Sequence, residues 1–226
     1  GLAADRLIEL LAKFNAEFGE QLPELDLGGG YGIAYLEDEV EIQASDVLKT
    51  LATVVKQSCA KHSLDVPKIS IEPGRTIIGP TMFTLYTVGT TKVVTLDNGS
   101  TRHYVSVDGG MSDNLRTALY GAEYTAIIAN RQSSSKTTAT RIVGKHCETG
   151  DIIIKDIDMP ADIAPGDLLA TPATGAYGRS MATNYNHITR PPVVAIKDAK
   201  ARVILRRESI EDLLRLRAHV LAYVIY

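Results

Sequence analysis

The sequence predicts an α/β segment followed by a mostly antiparallel β domain. In the first 80 residues, helix-like and strand-like patterns alternate, which is typical of parallel strands joined by helices. After Pro80, short runs rich in Thr, Val, Tyr and Phe follow one another between turn signals. We therefore predict one domain over residues 1–80 and a β-rich domain over residues 81–226.

The first segment contains two predicted helices and two predicted strands. Apolar side chains three and four positions apart predict a helix over residues 3–18, which Gly19 ends. Strands are predicted at 24–27 and 68–71. Ser45 is expected to cap the second helix. The apolar face of that helix comprises Val47, Leu48, Leu51, Val54, Val55 and Cys59.

The β domain begins with a predicted hairpin. Residues 82–96 form one strand, Asp97-Asn98-Gly99-Ser100 is a strong hairpin turn, and residues 103–107 form the partner strand. Further strands are predicted at 124–129, 138–143, 151–156, 167–170, 193–196 and 201–205. We expect an exposed polar loop at 131–140 and a short charged helix at 208–217.

Composition excludes several classes of protein. The 226 residues are 45% apolar and 23% charged, which is typical of a globular protein, and a net charge of −3 argues against nucleic-acid binding. Two cysteines fit a reducing, cytoplasmic compartment. Cysteine and histidine positions indicate no metal site, and no apolar run approaches the roughly 18 residues of a membrane span. The apolar tail 219–226 is interpreted as a packed tail or a foreign junction.

Two motifs follow the two predicted parallel strands. Gly28-Gly29-Gly30-Tyr31-Gly32 departs from the dinucleotide fingerprint, yet such glycines let backbone N–H groups approach a phosphate. Glu72-Pro73-Gly74-Arg75 places a carboxylate that can face a ring nitrogen before an arginine that can grip a phosphate. The alternatives are a tight turn for the first motif and a surface ion pair for the second.

Three further groups carry candidate chemistry. Arg116 and Tyr120 are spaced to share a helical face, where Arg116 can bind a substrate carboxylate; the alternative is a solvated arginine beside a packed tyrosine. Titratable groups surround Cys147 in His146–Asp151, so this thiol can pass a proton, unless it is a small buried hydrophobe. Tyr177 in its glycine-rich turn lies against a cofactor edge or simply packs. A phosphate grip, a carboxylate for a ring nitrogen and a proton-transferring thiol together fit pyridoxal phosphate.

Five ordered stretches resemble the diaminopimelate decarboxylase family, pyridoxal-phosphate enzymes of the alanine-racemase fold type. They are LDLGGGYGIAY, ISIEPGRTII, VDGGMSDNLRTALYGAEY, VGKHCETGDIII and ATPATGAYGRSMATNYN. The resemblance implies the C-terminal part of a (β/α)8 pyridoxal-phosphate-binding barrel followed by the β domain. It also implies decarboxylation of meso-2,6-diaminopimelate to L-lysine and CO₂, the last step of lysine biosynthesis.

The resemblance also implies roles for individual residues. Cys147 is implied as the proton donor and, with Glu148, serves the neighbouring subunit's site, so a homodimer is expected. The implied cofactor-binding residues are Gly30, Glu72, Pro73, Gly74, Arg75 and Tyr177. The implied substrate-binding residues are Arg75, Arg116, Tyr120, Glu148 and Tyr177.

The chain departs from the family pattern in one respect. The family's Schiff-base lysine and ring-stacking histidine lie in the earlier half of the barrel, and no motif here matches them. We therefore expect that the N-terminal half of the barrel is missing and that the isolated chain is inactive and poorly stable. The alternatives are a related decarboxylase of ornithine or arginine and a non-catalytic binding or regulatory relative.

Overall fold

The computed structural model describes residues 1–216, so the apolar tail 219–226 and the last residue of the predicted terminal helix lie outside the described residues. The chain divides into two compact units. The first comprises Gly1–Thr84 and Pro172–Ala176, and the second comprises Leu85–Thr171 and the described residues from Tyr177 to 216. No helix among the described residues is long and apolar enough to cross a membrane.

The first unit contains the predicted alternation of helices and strands. Its elements are α1 (Leu2–Phe18), β1 (Glu24–Asp26), α2 (Ala44–Lys61), β2 (Lys68–Ser70), α3 (Gly74–Ile78) and a 3-10 turn (Gly79–Thr81). β1 and β2 pair in parallel, with Glu24 opposite Lys68, as the alternation predicts. Gly19 ends α1 with φ 69° and donates its N–H to the Asn15 carbonyl, which confirms the predicted stop.

The core of this unit lies between the two long helices. It is a cluster of small and medium apolar side chains contributed by α1, α2 and the segment after α2, namely Ala4, Ile8, Leu11, Val55, Cys59 and Leu64. Ile8 and Cys59 are fully buried. Leu25, Leu27 and Ile69 pack against the cluster, so burial of the helix faces holds the short strands in place.

Two details of the α2 prediction are wrong. Gln43, not Ser45, is the residue before the helix, and it makes no side-chain cap. Ser45 already lies in the first turn, where its hydroxyl faces the Asp46 carboxylate at 3.5 Å. Leu48 was expected on the packed face but is 50% exposed, because the buried stripe runs through Val55, Ser58 and Cys59 near the helix end.

The second unit is built mainly on a six-stranded sheet in the order β5-β8-β3-β4-β6-β7. The remaining elements, in chain order, are β3 (Phe83–Thr95), β4 (Thr101–Val107), α4 (Arg116–Tyr120), β5 (Ile127–Ile128), β6 (Thr137–Val143), β7 (Ile152–Pro160), β8 (Leu168–Pro172), a second 3-10 turn (Tyr185–His187), β9 (Val193–Lys197), β10 (Lys200–Leu205) and α5 (Ile210–Leu214). β9 and β10 form a separate antiparallel hairpin. The predicted β3–β4 hairpin is confirmed, with Thr95 opposite Thr101 and Gly99 at φ 79°.

The sheet differs from the prediction in three places. β4 and β6 are parallel, because residues 108–136 carry the chain back across the sheet before β6 begins. The predicted strand at 124–129 is reduced to the two residues of β5. The predicted polar loop at 131–140 ends where β6 begins, and Arg131 within it is ion-paired with Asp162 and Asp167.

Candidate functional site

The glycine turn and the Glu72–Arg75 motif lie side by side in the first unit. Beyond the β1–β2 ladder, the Leu27 N–H donates to the Ser70 carbonyl and the Glu72 N–H donates to the Gly28 carbonyl, each at 2.9 Å. The Asp26 carboxylate accepts the Gly28 N–H at 2.7 Å and closes the turn. Both motifs therefore emerge from the carboxyl edge of the same parallel pair, where α/β folds place their binding residues.

Gly29 allows the two motifs to approach each other. A Cβ atom on Gly29 would lie 2.4 Å from the Glu72 carbonyl oxygen, so a larger residue would push the motifs apart. Gly28 and Gly30 adopt φ values of 70° and 87°, which glycine reaches without strain. A Cβ on Gly30 or Gly74 would meet nothing within 4 Å, so open space lies beside both glycines.

Arg75 is tied to the glycine turn by its own side chain. Its Nε donates to the Tyr31 carbonyl at 3.1 Å, and the Thr76 hydroxyl donates to the same oxygen at 3.4 Å. This bond uses Nε and holds the planar guanidinium next to the glycines. Glu72, two residues after β2, is exposed. The unit thus presents an arginine fork, glycine backbone and a carboxylate together.

In the second unit, Arg116 is buried among aromatic rings. It is 9% exposed, its Nη1 donates to the Tyr124 hydroxyl at 2.7 Å, and its Cζ lies 5.8 and 5.7 Å from the ring centroids of Tyr124 and Tyr177. Tyr120, at the last position of α4, is 66% exposed. The alternative of a solvated arginine beside a packed tyrosine is therefore wrong, because the arginine is the buried member of the pair.

The loop that carries Cys147 is held from beneath by Asp151. This carboxylate is 3% exposed and accepts the N–H groups of Met111 at 2.6 Å and His146 at 2.7 Å. Gly110 and Gly144 enclose it, since a Cβ at either position would lie 2.9 Å or less from both of its oxygens. Asp151 therefore faces inward as an anchor, whereas the sequence grouped it with the titratable groups around the thiol.

Cys147 itself is an exposed free thiol, so the alternative of a small buried hydrophobe is wrong for this residue. Cys59, in contrast, is buried, and its burial raises the pKa of its thiol. Next to Cys147, the Glu148 carboxylate accepts a hydrogen bond from the Tyr185 hydroxyl at 2.5 Å. The Asn186 amide nitrogen lies 4.0 Å from the Cys147 Sγ.

Sequence reasoning missed four polar residues around this loop. Tyr185 and Asn186 approach it from one side, and the Ser112 hydroxyl lies 2.9 Å from the His146 Nε2 on the other. Asp113 accepts the Tyr86 hydroxyl at 2.6 Å and the Gly110 N–H at 2.8 Å, and burial raises the pKa of its carboxyl. All four lie inside stretches that resemble the family. For Asn186 a local signal was also available, because asparagine tolerates the left-handed conformation of a tight turn.

Comparison with known proteins identifies the class that this fold and these residues define. Residues 2–79 match the pyridoxal binding domain of the pyridoxal-dependent decarboxylases, and residues 75–175 match their C-terminal sheet domain. The two matches together span residues 2–175, and the chain belongs to the pyridoxal-dependent decarboxylases. Pyridoxal phosphate is the cofactor of that family.

Within the family, the chain is similar to diaminopimelate decarboxylases. It is 49% identical over 215 residues to the Corynebacterium efficiens enzyme and 43% identical over 215 residues to that of Bacillus subtilis, in each case over 95% of this chain. The structure of the Helicobacter pylori enzyme complexed with L-lysine superposes with a TM-score of 0.77, at 32% identity and over 94% of this chain and 49% of that one. The chain spans about half the length of the curated relatives it matches, namely 47% of the Corynebacterium efficiens enzyme and 48% of the Bacillus subtilis enzyme.

The residues of the first unit fit the cofactor of the family. An arginine fork beside glycine backbone suits a phosphate, and the open space next to Gly30 and Gly74 leaves room for it. An exposed carboxylate two residues after β2 suits a protonated ring nitrogen. Gly30 and Glu72 through Arg75 are therefore the residues of this unit that would hold pyridoxal phosphate.

Proposed function

We propose that this chain is the C-terminal portion of a diaminopimelate decarboxylase, which converts meso-2,6-diaminopimelate to L-lysine and CO₂. The observation that carries the proposal is the loop at residues 144–151. It presents a thiol and a carboxylate next to each other on an exposed surface, and a buried aspartate holds it from beneath.

The proposed cofactor residues bind different parts of pyridoxal phosphate according to their charge. Arg75 and the backbone around Gly30 bind the phosphate, with Pro73 and Gly74 shaping the approach, and Glu72 holds the proton of the ring nitrogen. When bound, pyridoxal phosphate supplies an electron sink for the pair of electrons left by departing CO₂. Tyr177 is assigned contacts with both the cofactor and the substrate.

The substrate residues match a molecule with an amino-acid group at each end. Arg116 and Tyr120 bind the distal carboxylate and Glu148 binds the distal ammonium. Arg75 is also assigned a contact with the substrate. Arg116 is pre-oriented by its hydrogen bond to Tyr124, which lowers the entropy lost on binding. A substrate that lacks the distal carboxylate forgoes the charge-assisted hydrogen bond with the Arg116 guanidinium, at a cost of about 1.5–3 kcal/mol.

Cys147 completes the reaction as the proton donor. Its S–H bond breaks, the proton goes to the carbon that lost CO₂, and a thiolate remains on Sγ. The Cys147 thiol is exposed, whereas the Cys59 thiol is buried. This exposure supports the role of Cys147, because a proton donor must reach the substrate. We further assign residues 1–80 to the (β/α)8 barrel, residues 81–226 to the β domain, and the protein to the cytoplasm, where both cysteines stay reduced.

The test is CO₂ release in a complemented enzyme. This chain is co-expressed with the N-terminal half of the Corynebacterium efficiens relative, and the assembly is supplied with pyridoxal phosphate. We expect turnover of meso-diaminopimelate but not of ornithine or arginine, and its loss in Cys147→Ala. Cys59→Ala removes the other thiol and is expected to retain turnover. Equal turnover of ornithine, or full activity of Cys147→Ala, would overturn the proposal.

The same assembly tests the homodimer, in which Cys147 and Glu148 serve the neighbouring subunit. Cys147→Ala and Arg75→Ala proteins are each expected to be inactive. When they are mixed and allowed to exchange subunits, one of the two sites in a mixed dimer contains both intact residues. Recovery of up to about a quarter of the wild-type activity is expected from random exchange. A mixture that forms mixed dimers but stays inactive would contradict shared sites.

A further inference from the structure

The turn at residues 184–187 holds an unusual backbone next to the Cys147 loop. Asn186 and His187 have φ values of 53° and 56°, two consecutive non-glycine residues in the left-handed region. Surrounding bonds fix this turn: the Asn184 side-chain amide donates to the Ile188 carbonyl at 3.0 Å and to the Glu208 carboxylate at 2.7 Å. The conformation is therefore imposed by its neighbours, as is common where a side chain must be aimed.

The side chain that this backbone aims is the amide of Asn186. Its nitrogen lies 3.5 Å from the His146 Nδ1 and 4.0 Å from the Cys147 Sγ. An amide N–H needs a lone pair on Nδ1, so this arrangement selects the imidazole tautomer with its hydrogen on Nε2, which donates to the Ser112 hydroxyl at 2.9 Å. The amide of Asn186 is then a neutral N–H donor directed at the thiol.

We propose that Asn186 is a positioning residue for Cys147, which orients the thiol and stabilises the thiolate that remains after proton donation. A thiol sulfur accepts hydrogen bonds weakly, and an ionised acceptor accepts them about twice as strongly. The N–H···S contact therefore strengthens as the S–H bond breaks and the proton moves to the substrate carbon. The amide keeps both of its hydrogens throughout. The inference rests on the proposed function of Cys147.

Other titratable groups around the thiol must be kept constant in any test. His146 and Glu148 flank Cys147 on its own loop, Tyr185 approaches from the turn, and Asp151 lies beneath the loop. His187 lies in the same turn as Asn186. The substitutions below leave all five in place, so a change in the titration of the thiol reports on Asn186.

The experiment measures the rate of alkylation of Cys147 by iodoacetamide against pH in the complemented enzyme. The same assembly with Cys147→Ser gives the background from all other thiols. Asn186→Gly keeps the left-handed backbone but removes the amide, and Asn186→Asp keeps the shape but replaces the donor with a carboxylate. We expect the midpoint to move upward by about 0.5–1 pH unit in Asn186→Gly and further in Asn186→Asp. Asn98→Gly, in the β3–β4 turn, is expected to leave the midpoint unchanged.

Kinetics of the complemented enzyme separate this inference from the proposed function. Asn186→Gly is expected to lower kcat about tenfold with little change in KM, because the amide acts on the proton donor and not on the substrate. Identical thiol midpoints in wild type, Asn186→Gly and Asn186→Asp would overturn the role of Asn186 and leave that of Cys147 standing. Undiminished turnover by Cys147→Ala would instead remove the proposed function on which the inference rests.

Discussion

The Tyr185 hydroxyl donates a hydrogen bond to the Glu148 Oε1 at 2.5 Å, across 37 positions of sequence. Its ring also lies 5.5 Å from the imidazole of His146. The bond to Glu148 raises the pKa of Tyr185, since ionising the phenol would bring two negative charges together. Tyr185 therefore remains a donor at neutral pH and orients the carboxylate that we assign to the distal ammonium of the substrate.

Replacing Tyr185 with phenylalanine removes only the hydroxyl. We expect Tyr185→Phe to raise KM for meso-diaminopimelate about tenfold, equivalent to about 1.4 kcal/mol, with a smaller change in kcat, since a freely rotating Glu148 binds the ammonium less well. Steady-state kinetics of the complemented enzyme measure this. Tyr104→Phe removes a hydroxyl from β4 and serves as the control. A fall in kcat at unchanged KM would show that the hydroxyl acts on the chemical step instead.

The packing of Asp151 predicts a sharp difference between two glycines of its loop. A Cβ on Gly144 would lie 2.2 Å from the Asp151 carboxylate and 2.5 Å from the Gly110 Cα, whereas one on Gly150 would meet nothing within 4 Å. Gly144→Ala is expected to lower the free energy of unfolding by about 1–3 kcal/mol, and Gly150→Ala to change it by less than about 0.5 kcal/mol. Urea denaturation of both proteins measures these values. Equal effects would mean that the loop relaxes freely around Asp151.

Two glycines of the first unit separate a cofactor contact from a folding requirement. Gly74→Ala meets no protein atom within 4 Å, so it is expected to leave thermal stability unchanged. If the space beside Gly74 holds the phosphate, the Gly74→Ala enzyme binds pyridoxal phosphate with a dissociation constant about tenfold higher than that of the wild type, because the new methyl group intrudes on the ligand. Titration of the complemented enzyme with the cofactor measures this. Gly29→Ala, which meets the Glu72 carbonyl at 2.4 Å, is expected to lower both stability and affinity.

The ion pair between Arg131 and Asp167 predicts a loss of stability in acid. Two hydrogen bonds from Arg131, at 2.8 and 2.7 Å, lower the pKa of Asp167 to about 2. The carboxyl pKa of Asp167 is lower in the folded protein than in the unfolded chain, where it is about 4. Ionised Asp167 therefore stabilises the fold above about pH 4, and this contribution to the free energy of unfolding is lost as the pH falls from about 4 to 2.

Replacement of the carboxylate tests this dependence. Asp167→Asn is expected to lower the free energy of unfolding at pH 6 by about 1–2 kcal/mol and to flatten its decline between pH 4 and pH 2. Urea denaturation over that pH range measures both effects. Asp97→Asn, in the exposed hairpin turn, is expected to keep the wild-type decline. If the free energy of unfolding of Asp167→Asn declined between pH 4 and pH 2 as steeply as that of the wild type, other groups would be responsible for the acid sensitivity.

Most elements of the fold were predictable because each depends on neighbouring residues. The apolar periodicity that predicted α1, the stop at Gly19 and the Asn98-Gly99 turn all express local rules of packing and backbone conformation. Which side chains of α1 are buried was a different matter, since Leu10 and Phe18 of the predicted pattern are exposed. The parallel pairing of β4 with β6 was not predictable in this way. It depends on the path of the long connection between them, which local patterns leave open.

The sequence by itself determined which groups we propose to carry the chemistry, and their order along the chain: the glycine turn, Glu72 to Arg75, Arg116 and Cys147 with Glu148. Their residue types and spacings sufficed to recognise the family. Only the tertiary structure decided that Arg116 is buried between rings, that Asp151 faces inward, and that Tyr185 and Asn186 reach the thiol loop. Contacts between residues 37 to 61 positions apart depend on how the chain folds back on itself, and no local propensity encodes that path.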